Sequence, residues 1–192
     1  MIIVVLRNFI CLAGLVVAAP IFFLLSIFIF LEDGMPIFFI QKRIGLNKKI
    51  FKLFKIRTMK NNAPELGTHE VENSYQLKIG VIIRKIKIDE LPQLINVIKG
   101  DINLVGPRPG LVNQEELTLT RSKKNIYDIK PGITGLAQIL GYDMSNPSRL
   151  AEIDKIYMAN KSYQIDCLIL LGTFLAFPRK YLSSKLKTPK NN

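Results

Sequence analysis

The sequence predicts a mixed α/β fold, mainly helical, with one short β-hairpin behind an oily N-terminal segment. Three observations predict it. No charged residue falls between Phe9 and Leu31. Two segments rich in Phe and Ile flank Gly45-Leu46-Asn47-Lys48-Lys49. Leu91, Leu94, Ile95 and Ile98 recur at helical spacing until Gly100.

Composition bounds the function. The 192 residues suffice for one ordinary domain, and 48% hydrophobic with 22% charged residues excludes a disordered chain or a disulfide-stapled miniprotein. Residues 1–33 hold Arg7 against Glu32 and Asp33, so of the net charge of +12 the rest of the chain carries +13. Cys11 and Cys167 lie far apart, which fits a reducing compartment and neither a metal knuckle nor a disulfide framework. His69 stands alone in a polar stretch and reads as a solvated loop residue, which sets His-based and thiolate-metal chemistry aside. Nucleic acid is not an expected partner, because no binding motif accompanies the basic charge and a membrane anchor accounts for it better.

The uncharged run of about 23 residues is long enough to cross a ~30 Å hydrocarbon core. It exceeds the apolar stretch of a signal peptide, and no small-residue cleavage site follows it. Pro20 removes a backbone donor at its middle, where lipid offers no substitute. A kinked span and a re-entrant hairpin of two half-helices both fit, and the run alone favours the span.

Beyond it, Ile37 to Gln41 and Ile50 to Thr58 read as the hairpin, and 61–76 as a polar loop able to close over a ligand. Helices are predicted over Ile79 to Ile88, Leu91 to Ile98, Asn113 to Ile126 and Ser148 to Asn160, with turns at Val105 to Gly110 and Lys130 to Gly135. Ile165 to Phe177 is too short to span and reads as a core helix or one lying at the membrane interface. The expected organisation is a membrane segment over 1–33, a cytoplasm-facing basic domain over 34–180 and a basic tail over 181–192 attracted to anionic headgroups.

Asp89 and Glu90 are the most informative carboxylates. Asp89 is placed to cap the helix that Pro92 opens, which is the plain explanation for it. Arg84, Lys85 and Lys87 precede the pair, and two carboxylates beside several cations at a helix end suit Mg²⁺ and a diphosphate. Arg108, between Pro107 and Pro109, offers a rigidly presented guanidinium for phosphate. Lys55 and Arg57 alternate with Phe54 and Ile56 and so share one face of the second strand.

These motifs resemble the bacterial sugar transferases, the small monotopic phosphoglycosyl transferases that initiate surface-polysaccharide and glycoprotein glycan assembly. The blocks are Pro36 to Gly45, Ile50 to Met59, Ile88-Asp-Glu-Leu-Pro-Gln-Leu-Ile-Asn-Val-Ile-Lys-Gly-Asp101, Leu104-Val-Gly-Pro-Arg-Pro109 and Lys130-Pro-Gly-Ile-Thr-Gly135. The resemblance implies transfer of a sugar-1-phosphate from a UDP-sugar to undecaprenyl or another polyprenyl phosphate, with release of UMP and a need for Mg²⁺. It makes Asp89 the nucleophile that forms a covalent phosphosugar, and gives Glu90 a part in holding Mg²⁺ or handling a proton. It makes Lys55, Arg84, Arg108 and, less directly, Arg57 the phosphate-binding cations.

It also implies a re-entrant N-terminal helix, broken at Ala19-Pro20, that enters and leaves by the cytoplasmic face of the bacterial inner membrane. The family has Ser where this chain has Ala19, and Arg7 or Asn8 falls where it usually has an acidic residue. Lys87, Leu136 and Gly141-Tyr142-Asp143 also depart from the family's usual residues, so sugar identity does not carry over. The length predicts the small form of the family, without the multi-span domain of larger relatives. Partners beyond the substrates and lipid are a second copy or downstream glycosyltransferases. The rival readings are a catalytically silent membrane scaffold of a glycan-assembly complex, and a direct transfer that needs both substrates bound together.

Overall fold

The uncharged run folds into a helix longer than the run itself. In the computed structural model, which describes residues 2–64 and 73–189, α1 extends over Ile2–Asp33 with Pro20 in its interior. At 1.5 Å per residue its 32 residues reach about 48 Å. The two separate half-helices expected of a break at Pro20 are not seen; one proline removes a single backbone hydrogen bond, and the turns on either side keep the helix continuous. Cys11, Ala18 and Ile29 are buried, and Leu15, Phe22 and Leu25 are half-buried. These positions recur at a spacing of three and four and form one packed stripe. The other faces, including Val16, Val17, Phe23 and Leu31, stay exposed and apolar.

The chain gathers into two units, Met1–Gln41 with Lys52–Gly100, and Lys42–Phe51 with Asp101–Asn192. The expected membrane segment is therefore part of the first unit, because α1 packs on later elements of that unit. Strands β1 (Phe38–Ile44) and β2 (Ile50–Ile56) form the expected hairpin. Helix α2 covers Lys78–Lys85 and α3 covers Gln93–Lys99, the latter ended by left-handed Gly100 as the sequence predicts. Ile29, Ile37, Ile56, Leu77 and Ile83 form the core of this first unit. Glu32 at the end of α1 caps α2, its two carboxylate oxygens accepting from Lys78 N at 2.6 Å and Ile79 N at 3.2 Å. Gly80 lets α2 approach the segment that follows β2, since a Cβ there would stand 2.3 Å from Thr58 O. His69 and half of the predicted 61–76 loop, residues 65–72, lie outside the described residues.

Helix α3 departs from its predicted face. Its buried residues are Gln93, Asn96 and Val97, while Ile95 is exposed and Leu94 and Ile98 are only partly covered. Leu94 turns toward α1, where a Cβ on Gly14 would meet its Cδ1 at 3.2 Å. Apolar spacing locates the helix but does not separate a core-facing side from one facing an apolar neighbour or lipid.

In the second unit, β3 (Asn103–Val105) and β4 (Gly132–Thr134) pair in parallel, Asn103 opposite Gly132 and Val105 opposite Thr134. The sequence reads Lys130 to Gly135, which holds β4, as a turn, and begins another turn at Val105, the last residue of β3. Their backbones meet through glycine: a Cβ on Gly132 would stand 2.1 Å from Gly106 N. Around them lie α4 (Glu115–Lys123), α5 (Leu136–Ile139), α6 (Pro147–Asn160), α7 (Tyr163–Gly172) and α8 (Ala176–Lys185). Leu117, Leu136, Ile153, Tyr157, Ile169 and Leu182 anchor their common core. The basic tail expected from 181 is, as far as Lys185, the second half of α8, held down by fully buried Leu182. The Tyr157 hydroxyl donates to Asp166 Oδ1 at 2.7 Å. Burial pushes this phenol well above its ordinary range and the Asp166 carboxylate adds to the shift, while burial also raises Asp166 itself.

Candidate active site

The acidic pair lies on a tight turn between α2 and α3. Lys87 takes the left-handed conformation at φ 58°, Ile88–Glu90 form a 3-10 turn, and Leu91 and Pro92 lead into α3. Asp89 is not the cap the sequence suggests. Lys87 flanks the 3-10 turn and Pro92 flanks α3, whose first residue is Gln93, so the helix begins farther along than the capping reading requires. The Asp89 residue is 8% exposed. A carboxyl side chain buried to this extent needs polar or charged neighbours.

Cations do come from two neighbouring elements. Lys55 on β2 donates to Glu90 Oε1 at 3.3 Å. Arg84 sits in the last turn of α2, which packs on the Ile88–Glu90 turn, and donates from Nε to Thr58 Oγ1 at 2.7 Å. The first unit thus brings Asp89, Glu90, Lys55 and Arg84 onto adjoining elements. Arg57 departs from the expectation that it shares a face with Lys55. It is buried, with Nη1 donating to Asp33 Oδ2 at 2.8 Å and Nη2 to Gly34 O at 2.6 Å. Strand β2 ends at Ile56, so alternation no longer sets the direction of the next side chain.

Arg108 belongs to the second unit, on the loop after β3. The Ala19-Pro20 step lies exposed within α1.

Sequence reasoning misses Asn96. It is fully buried, accepting at Oδ1 from Phe54 N at 3.1 Å and donating from Nδ2 to Lys52 O at 2.7 Å. The side chain serves β2 as a neighbouring strand would, and so sets the residue before Lys55 against α3. The available signal is an amide in the middle of an apolar helix repeat. Arg43, Arg121 and Asp154, all buried, are missed as well, and nothing periodic marks them.

Among the described residues no group of three or more His, Cys, Asp and Glu gathers into a metal cage. Asp89 and Glu90 nonetheless fit Mg²⁺, a hard cation commonly held by one or two carboxylates, with waters and substrate phosphates completing the shell. The same pair does not suit a resident zinc, which needs three or four protein ligands.

The family model described as bacterial sugar transferase matches residues 3–180. The chain is 43% identical to the uncharacterized sugar transferase EpsL of Bacillus subtilis, over 74% of this chain and 70% of that one. It is 35% identical to the exopolysaccharide production protein ExoY of Rhizobium meliloti, over 88% and 84%. It is 38% identical to the UDP-glucose:undecaprenyl-phosphate glucose-1-phosphate transferase of Caulobacter vibrioides, over 64% of this chain but only 48% of that larger protein. With nearly its whole length matched, and its acidic turn, basic strand and Pro-Arg-Pro loop all within the match, the chain belongs to the bacterial sugar transferase family.

Proposed function

We propose that the protein is a phosphoglycosyl transferase that moves a sugar-1-phosphate from a UDP-sugar to undecaprenyl or another polyprenyl phosphate and releases UMP. The observation that carries this reading is the buried Asp89 on the turn between Arg84 and α3, beside a Glu90 already paired with Lys55. A carboxylate is a weak nucleophile, and it serves in phosphoryl transfer when surrounding cations neutralise the phosphates and hold the line of attack.

An Asp89 oxygen attacks the sugar-bearing phosphorus. The bond from that phosphorus to the bridging oxygen breaks, and UMP leaves with the electron pair. The polyprenyl phosphate oxygen then attacks the same phosphorus, the bond to Asp89 breaks, and the carboxylate is regenerated. Lys55, Arg84 and Arg108 bind the phosphates, and Arg57 instead secures the end of α1. Mg²⁺ bound at Asp89 and Glu90 would add charge neutralisation at the phosphates.

A one-sided, cytoplasmic membrane placement is part of the proposal. Its support is the packed stripe on α1, which runs from Cys11 to Ile29, about 27 Å of helix. A lone helix crossing the bilayer would meet lipid around that whole length, whereas one stripe of this helix packs on its own domain and the remaining apolar faces are left exposed. The basic body favours the cytoplasmic side.

The test is UMP release from membrane-reconstituted protein given undecaprenyl phosphate, Mg²⁺ and a panel of UDP-sugars. Release with one donor, lost in Asp89→Asn, is the expected result. Release that survives in Asp89→Asn removes the covalent mechanism, and folded protein that releases nothing across the panel favours the scaffold reading.

A further inference from the structure

From Val105 to Leu111 every residue is buried except Arg108, which is half-buried. Four successive carbonyls of this loop are captured. Pro107 O accepts from Gly132 N at 3.0 Å, and Gly110 O accepts from Ile44 N at 3.1 Å. Between them, Arg108 O accepts from Arg121 Nη1 at 2.7 Å and Pro109 O from Arg43 Nη1 at 3.0 Å. Loops commonly leave such groups to water. Here two of the four donors are buried arginines.

A buried guanidinium needs a reason. Arg121 and Asp154 are each only 2% exposed. Arg121 donates to Asp154 Oδ2 from Nε at 3.0 Å and from Nη2 at 2.6 Å. Desolvating two charges offsets much of their attraction, and well-packed apolar residues of similar volume are often as stable. Stability alone therefore does not account for the pair. The pair does provide a fork fixed on one side by Asp154, whose remaining nitrogen meets the carbonyl of Arg108 itself.

We infer that Arg121, oriented by Asp154, is a positioning residue for Arg108: it fixes the peptide from which the one less-buried side chain of the loop is offered to an anionic phosphate group of the sugar donor. The inference rests on the reading of Arg108 as a phosphate ligand. Arg43 does the same for the next carbonyl. Neither arginine touches substrate; both act through the loop.

The test is UDP binding, in the presence of Mg²⁺, by calorimetry on the full chain in lipid nanodiscs, with thermal unfolding run on each variant. Arg108→Ala weakens UDP by ~10-fold or more, the worth of a charge-assisted hydrogen bond. Arg121→Lys keeps the charge opposite Asp154 but loses the fork, and weakens UDP by ~5-fold or more on the same grounds. In the Arg108→Ala background Arg121→Lys costs no further affinity, although it still lowers the unfolding temperature. A purely structural role predicts the same loss in both backgrounds, and that result overturns the inference. So does an Arg121→Lys variant that binds UDP as wild type does. Should Arg121→Lys not fold, Arg43→Lys makes the same comparison without touching the buried pair. Unchanged binding in Arg108→Ala removes Arg108 as a phosphate ligand and the inference with it, and wild-type protein that ignores UDP overturns the nucleotide reading beneath both.

Discussion

Lys55 Nζ and Glu90 Oε1 lie 3.3 Å apart, with 14% and 17% of their side chains exposed, and the pair ties strand β2 to the turn that carries Asp89. It is shielded more than a surface ion pair and less than a core one. A double-mutant cycle with Lys55→Met and Glu90→Gln is expected to give a coupling of about 1 kcal/mol, the upper end for pairs with access to solvent. Because salt screens partly buried pairs poorly, most of that coupling should persist in high salt. Thermal unfolding of the four proteins measures it, and additive effects would show that the two side chains do not stabilise one another.

Asn96 holds Phe54 N and Lys52 O at the same time. Asn96→Leu fits the apolar pattern of α3 better and should nevertheless destabilise the protein by about 2–4 kcal/mol, since it strands a donor and an acceptor under the helix. Activity should fall as well, because β2 carries Lys55. A variant as stable as wild type would mean that water satisfies those two backbone groups.

The contrast between Asn96 and its neighbours shows how far the sequence is legible. The hairpin around Gly45 to Lys49 and the stop at Gly100 can be read, because turn and cap residues act locally. The existence of α3 can be read from Leu91, Leu94, Ile95 and Ile98, but its buried face cannot. Apolar residues there also face α1 or remain exposed, and hydropathy does not tell these surroundings apart. Strands β3 and β4 have three residues each and join through glycine, too short for any periodic signal. In the site, Asp89 and Glu90 stand out as a local pair with cations just before them. The Arg121 and Asp154 pair, 33 residues apart, exists only once α4 and α6 pack.

Arg57 shows where the alternation argument stops. Its guanidinium closes the C-terminus of α1, with Asp33 O at 3.2 Å from Nη2 besides its contacts to the Asp33 carboxylate and Gly34 O. A cation at a helix C-terminus is favourable in its own right. Arg57→Met should cost about 2–3 kcal/mol, less than for a fully buried pair because 26% of the Asp33 side chain is exposed. In protein that remains folded, UDP affinity should stay within about twofold of wild type, less than the loss of one neutral hydrogen bond. A large loss of affinity without a loss of stability would return Arg57 to the phosphate-binding set.

The Tyr157 hydroxyl provides a test of the second unit that does not depend on substrate. Burial first, and the neighbouring Asp166 carboxylate second, raise its pKa above the ordinary value of 10.0. The folded protein therefore keeps this proton at pH values where the unfolded chain has released it. The resulting stability is fully present below pH 10 and is lost as pH rises above it, by about 1.4 kcal/mol per unit from this one group. Alkaline pH acts on more of the protein than this one phenol, so the informative quantity is the stability of wild type minus that of Tyr157→Phe. This difference should be level between neutral pH and pH 10 and then decline, read from thermal unfolding in detergent across the alkaline range. Curves that stay parallel above pH 10 would show that Tyr157 ionises in the folded protein as readily as in the unfolded chain, and that the hydrogen bond to Asp166 does not hold the phenol protonated.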